Sequence, residues 1–261
     1  MKNLPDILFE RYGKSHLSYS SIKNALNDMA LFDAYMTRQI AYTSDALKFG
    51  SLYDMLIFDR DKAIETYTIL DHDLIMERCS VATQSTKSPK ATKEYKEVKE
   101  ALEFELAESG KIICTKEEYD IANDMVNRLV ECGLMDSYLK GKYQVPVYFT
   151  LDGAEIKGAL DCLGDGFISD SKSSKSVDGF RYDVNKFCYD LQAYLYTQAT
   201  GIKEFYWVVQ EKTFPYLPAL VKCSEETLFK GEMKYHTALA RIKQFLDSGK
   251  SFTKDYVEYT V

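Results

Sequence analysis

Asp161, Asp170 and Lys172 fall within a dozen residues, the two carboxylates parted by an apolar run and the pair Asp165-Gly166. If Gly158 to Leu163 and Phe167 to Lys172 are antiparallel strands joined at that pair, Asp170 and Lys172 lie on one face of the second strand, with Asp161 on its neighbour. Two carboxylates and an ammonium then converge on one point. Carboxylate oxygens suit a hard divalent cation, and a lysine beside them orients a water or helps to deprotonate it, which is what metal-assisted phosphodiester hydrolysis requires. Alone, an Asp followed at free distance by Asp-x-Lys is a weak pattern that an ordinary surface hairpin with a salt bridge also satisfies.

Other residues point the same way. Tyr189, Gln192 and Tyr196 recur at i, i+3 and i+7 on a predicted helix just after the second strand, and so share a face. A glutamine amide binds phosphate or a metal-bound water, and a tyrosine hydroxyl contacts backbone phosphate; core packing competes as a role for the tyrosines, less so for Gln192. Asp54 lies in Phe49-Gly-Ser-Leu-Tyr-Asp54, within an early helix in which Gly50 costs ~1 kcal/mol relative to alanine and so hints at close approach to another backbone or to DNA. Ser18, Ser20 and Lys23 at a helix start offer hydroxyls and an ammonium to a terminal phosphate, although helix capping accounts for the serines equally well.

Positioning these groups requires helices on either side of a sheet. Ser20 or Ser21 caps a predicted helix through Tyr35, and Ser44 caps another through Leu56. The polar stretch Ser80 to Lys90 reads as a loop, followed by helical periodicity over Glu94–Leu106 and Lys116–Val130. Strands are predicted from Tyr143 to Thr150, across an Asp152-Gly153 turn, from Ala154 to Leu163, and on past Asp165-Gly166, a three-stranded meander. A helix from Val184 to Ala199 ended by Gly201, a strand over Glu204–Gln210, an edge strand over Tyr216–Lys222 and a long helix from Thr227 to Ser248 complete an α/β order in which helices cover the sheet. The expected organisation is one domain over 1–261, with a helical part to about 140, a sheet core over about 141–222 and a closing helix over about 224–248.

Composition narrows the class. No apolar run reaches the ~18 residues of a membrane span, and Met1 to Glu10 lacks a signal-peptide core, which points to a soluble, cytoplasmic protein without a membrane partner. Six cysteines scattered singly, with no C-x-x-C pair, read as reduced core thiols and argue against an iron–sulfur cluster. The formal charge of −7 opposes a uniformly DNA-attracting surface but leaves room for a local basic groove.

Together, Gly-Ala-Leu-Asp161, Asp170-Ser-Lys172 and Gln192-Ala-Tyr-Leu-Tyr196 resemble the PD-(D/E)xK nuclease superfamily, in the branch whose third motif is Q-x-x-x-Y. Within it the chain looks most like the nuclease domain of RecE-type exonucleases and their phage relatives. Leu17-Ser-Tyr-Ser-Ser-Ile-Lys23 is similar to that family's opening helix, Phe49 to Asp54 to its F-G-[ST]-x-x-H segment, and Val209 to Tyr216 to the strand after the Q-x-x-x-Y helix. The resemblance implies a restriction-endonuclease-like core, a central mixed sheet bearing the meander and flanked by helices. It implies that Asp161, Asp170 and the backbone carbonyl of Ser171 hold Mg²⁺, with Mn²⁺ substituting and two ions present. Lys172 becomes the catalytic lysine, and Gln192 and Tyr196 orient phosphate. Asp54 stands where relatives commonly have histidine and remains a competent Mg²⁺ ligand. Gln144 stands where relatives often have glutamate and is given no catalytic role. Tyr189, with Ser18, Ser20 and Lys23, is expected on the DNA side. The implied activity is 5′ to 3′ exonuclease digestion of linear duplex ends in a bacterial or phage-infected cell. It would leave 3′ strands for a single-strand annealing recombinase, and by analogy the enzyme is a homo-oligomeric ring. A catalytically degenerate DNA-end-binding protein and a restriction-type or structure-specific endonuclease are the alternatives.

Overall fold

Asn3 accepts a hydrogen bond from the Asp6 amide at 2.9 Å and so starts α1 (Leu4–Tyr12), which Gly13 ends in the left-handed conformation. The computed structural model describes residues 2–41 and 43–252. After α1, the short strand β1 (Leu17–Ser18) runs straight into α2 (Tyr19–Asn27), whose cap is Ser18, in a reciprocal capping box with Ser21. The predicted single helix through Tyr35 is two helices. Asp28 takes an extended conformation and accepts from the Ala30 amide at 2.7 Å, ending α2 and capping α3 (Met29–Met36), because a short carboxylate competes with the helix for nearby amides.

From Ser44 the chain builds a mainly helical unit of its own. Ser44 caps α4 (Asp45–Phe58) as expected, Asp59 caps α5 (Arg60–Thr66), and β2 (Tyr67–Ile69) leads to α6 (His72–Glu77). The predicted loop at Ser80 to Lys90 instead carries a short helix, α7 (Val81–Gln84), and a 3₁₀ turn, Pro89–Ala91. The Glu94 carboxylate fastens it, accepting from the Ser80 amide at 2.8 Å and hydroxyl at 2.7 Å and from the Thr83 hydroxyl, bonds that lower its pKa. Next come α8 (Lys93–Glu108), β3 (Ile112–Cys114), which pairs in parallel with β2, and α9 (Lys116–Glu131). Phe49, Leu52, Leu56, Met125 and Leu129 bury the faces on which α4 and α9 meet. Gly50 is not a point of close packing, since a Cβ there would meet no atom within 4 Å.

The remaining chain forms the sheet. After α10 (Leu134–Tyr138), β4 (Lys142–Leu151) and β5 (Ala154–Leu163) pair antiparallel across Asp152-Gly153, both at positive φ (48° and 77°) as a type I′ hairpin turn demands. β6 (Ile168–Ser174) follows, and the helix expected from Val184 is divided into α11 (Phe180–Lys186) and α12 (Tyr189–Thr200) by Cys188, which lies at φ 59°. β7 (Phe205–Glu211) returns parallel to β6, β8 (Pro218–Lys222) pairs antiparallel with β7, and α13 (Glu225–Asp247), capped by Ser224, closes the described chain. The mixed sheet runs β1-β5-β6-β7-β8, with β4 on the other edge of β5. Leu8, Ile22, Phe32, Ile156, Leu191, Leu195, Trp207, Tyr235 and Ile242 belong to the core between this sheet and its helices.

Two compact units result, one of Met1–Thr43, Leu134–Glu211 and Leu217–Val261, the other of Ser44–Gly133 and Lys212–Tyr216. The sequence division near residue 140 thus puts α1 to α3 apart from the sheet unit to which they belong. No described helix is long and apolar enough to cross a membrane. Five cysteines are buried and Cys132 is exposed; all are free thiols.

Candidate active site

The site lies where the sheet parts. On one edge of β5, β1 pairs at Ile156 and Lys157 and β6 pairs at Cys162 and Leu163, so the ladder skips Gly158 to Asp161 among the described residues. Continuing the β5–β6 register by one step sets Asp161 against Asp170. Beyond that point β6 keeps β7 as its neighbour, with Asp170 opposite the buried Trp207. α12 and α2 pack against each other and against α13, and the start of α2 meets the α11–α12 junction where Tyr19 donates to the Phe187 carbonyl.

Asp170 is 1% exposed, a costly place for a carboxylate without partners. Its Oδ1 accepts from Gln192 Nε2 at 3.0 Å, and its Oδ2 pairs with the Lys172 ammonium while accepting no hydrogen bond of good geometry. Asp161 Oδ1 accepts from Gln144 Nε2 at 3.3 Å, a contact the sequence did not foretell because the strand alternation gives no sign of the positive φ at Gln144. Burial acts to lower the Lys172 pKa, but the charges of Asp170, then Asp161, outweigh it, so the ammonium is held charged well above its ordinary range. Lys172 Nζ also lies 5.1 Å from the centre of the Tyr189 ring, a cation–π contact.

Helix α12 brings the rest. Gln192 is buried, and its Oε1 accepts no hydrogen bond. Tyr196 lies against β5 at Gly158, where a Cβ would come within 2.8 Å of the ring, so the glycine of Gly-Ala-Leu-Asp161 makes room for the tyrosine of the third motif. Burial, then the charge of Asp170, pushes the Tyr196 phenol up to about 12. Tyr189 stacks on Phe180 rather than standing free for a base.

On the α2 side the expectations change. Ser18 uses its hydroxyl to cap α2, so it is committed to the helix; Ser20 is half-buried in the first turn. Lys23 lies over the Tyr19 ring at 5.5 Å, and burial, assisted by repulsion from Lys172, lowers its pKa. Tyr19 donates to the Phe187 carbonyl and its phenol is raised by burial, against the pull of Lys172. The structure therefore gathers Asp161, Asp170, Lys172, Gln192, Tyr196, Tyr189 and Lys23. Asp54 belongs to the helical unit, half-buried on α4.

Among the described residues no three His, Cys, Asp or Glu side chains gather as a metal site. The donor set on offer is two carboxylates and the Ser171 backbone carbonyl, all hard oxygens, and this chemistry fits a divalent cation, with Asp170 Oδ2 facing the Lys172 ammonium in this structure. A shallow depression of about 540 Å³ at Asp136, Lys140, Lys142, Asp165 and Phe167 involves none of these groups.

A sheet opened between two carboxylate-bearing strands, with a lysine two residues after the second carboxylate, is the arrangement of the PD-(D/E)xK superfamily. Residues 18–254 match the PDDEXK-like domain of unknown function (DUF3799), and the chain belongs to that family. In fold it is similar to the crystal structure of "Putative exonuclease" from Eubacterium rectale, at a TM-score of 0.61 and 16% identity over 94% of this chain and 90% of that one. A second solved structure, SSO0001, aligns with a TM-score of 0.28 and 13% identity over 73% of this chain and 86% of that one, too poorly to bear on the fold. No curated protein matches the sequence.

Proposed function

We propose that this protein is a divalent-cation-dependent deoxyribonuclease, a 5′ to 3′ exonuclease of RecE type acting on linear duplex ends to leave 3′ strands for an annealing recombinase. The observation that carries the reading is the convergence of Asp161, Asp170, Lys172 and Gln192 at the parting of β5 and β6 in a PDDEXK-like domain. Asp161, Asp170 and the Ser171 carbonyl would hold the cation, Mg²⁺ or Mn²⁺; the part assigned to Asp54 rests on the resemblance alone. When bound, the cation supplies a water of lowered pKa and Lewis acidity toward the phosphate.

The chain's own groups do the rest. Lys172, held charged by its carboxylate neighbours, donates to the attacking water and orients it. Gln192 fixes Asp170 through Nε2 and leaves Oε1 to accept a hydrogen bond that orients that water. The Tyr196 hydroxyl, kept protonated at neutral pH, donates to a phosphate oxygen, and Lys23 adds positive charge from α2. Electrostatic groups fixed in advance of the reaction act with no reorganisation at the moment of charge transfer.

The test compares linear and covalently closed duplex with Mg²⁺ or Mn²⁺, beside Lys172→Ala. Linear DNA is expected to be degraded from its 5′ ends, closed circles to survive, and the variant to be slower by about 10²-fold or more. Cutting of circles would turn the assignment to an endonuclease; binding of ends without cleavage would turn it to an end-binding protein.

A further inference from the structure

Between α11 and α12 the chain turns through Phe187 and Cys188, with Cys188 at φ 59° and no side chain capping α12. A non-glycine residue in that region is strained, and in the first turn of α12 the Leu191 amide is taken by Asp190 Oδ1 at 2.8 Å, so the junction depends on what holds that carboxylate in place. The support comes from α13. Lys234 Nζ donates to both Asp190 oxygens, at 2.9 and 2.7 Å, and to the Asn185 side-chain and backbone oxygens, at 2.9 and 3.3 Å. One ammonium therefore holds the last turn of α11 and the first turn of α12 together. Asp190 is 1% exposed, and Gly231, one turn earlier on α13, abuts its carbonyl so closely that a Cβ would come within 2.2 Å.

Asp190 is flanked by the two residues through which α12 meets the β6 charges, Tyr189 beneath Lys172 and Gln192 on Asp170. We propose that Lys234 is a positioning residue: by clamping Asn185 and Asp190 across the α11–α12 break it sets the rotation and depth of the first turn of α12, and with them the places of Tyr189 and Gln192. Its catalytic consequence rests on the nuclease reading above, but its geometric content does not.

The test reads the geometry directly. In protein carrying ¹³C at the lysine Cε, the Lys172 resonance, assigned by its loss in Lys172→Arg, should be displaced upfield by the Tyr189 ring and lose that displacement in Tyr189→Leu. Lys234→Met should abolish the displacement, while Lys230→Met, which removes only an exposed pair with Glu226, should not. Because Lys234→Met strands a buried carboxylate, Asp190→Asn/Lys234→Met and Asn185→Ala, which removes the side-chain half of the α11 arm and leaves the backbone carbonyl, are measured beside it. A folded Lys234→Met or double variant that keeps the wild-type Lys172 resonance overturns the proposal, as does a wild-type resonance with no displacement. On linear duplex, kcat should fall about 10- to 100-fold with KM within about twofold, as for a misplaced rather than missing group. If the resonance responds as expected and the wild-type protein cuts no DNA, the positioning role stands and the nuclease reading falls.

Discussion

At Gly158 the demands of sheet and helix meet in a single missing methyl group. The sequence makes Asp161, Asp170, Lys172 and Gln192 legible because each is a polar type at a period that fits its element. It does not reveal why glycine precedes Asp161 by three positions, since the reason is the Tyr196 ring, 38 residues further on. Gly158→Ala would drive a Cβ to 2.8 Å from Tyr196 Cε1 and should destabilise the protein by about 1–3 kcal/mol in urea unfolding. Placed in a Tyr196→Ala background, the same substitution should be nearly neutral, since its obstacle is gone. Equal costs in the two backgrounds would show that the ring is not the constraint. Asp170 and Gln144 show the limit from the other side: burial of the first and the contact of the second with Asp161 depend on pairings no local pattern encodes.

Among the elements, strands and turns were more legible than helix interruptions. The two Asp-Gly pairs mark turns because the second needs a positive φ at Gly166 and the first at both residues. The breaks at Asp28 and Cys188 are hidden in the sequence because apolar periodicity runs through them; in one a side-chain cap, in the other the Lys234 clamp, prevails over helix propensity. α13 makes the same point. Gly231 in a 23-residue helix looks like a weakness that alanine would relieve by ~1 kcal/mol, yet its Cβ would lie 2.2 Å from the Asp190 carbonyl and 2.9 Å from Tyr194 Cβ. The close approach outweighs the propensity gain, so Gly231→Ala should lower stability by a net ~1–2 kcal/mol and separate α12 from α13. Denaturant midpoints of the two proteins decide it, and a more stable variant would mean the helices are not in contact there.

Across the whole molecule, the discontinuity of the units is what the sequence conceals most completely. The sheet unit is assembled from three stretches of chain, and Lys212 to Tyr216 returns to the helical unit between two paired strands, an arrangement without a compositional boundary. What composition does announce is twenty tyrosines, and many phenols of the sheet unit are raised by burial: Tyr194 and Tyr196 to about 12, Tyr12, Tyr19 and Tyr235 in the same direction. Below the ordinary phenol value of 10.0 both folded and unfolded chains keep these protons, and stability is undiminished. Above it the unfolded chain ionises first, so stability should fall as pH rises from about 10 toward 12, by roughly 1.4 kcal/mol per pH unit for each such tyrosine. Tyr194 lies outside the cluster of Asp161, Asp170 and Lys172 and is 7% exposed, which makes it the clean probe. Urea unfolding at pH 9, 10 and 11 should give a declining stability for the native protein and a decline shallower by about one tyrosine's share for Tyr194→Phe. Parallel curves for the two proteins would mean that the Tyr194 phenol titrates in the fold as it does in water.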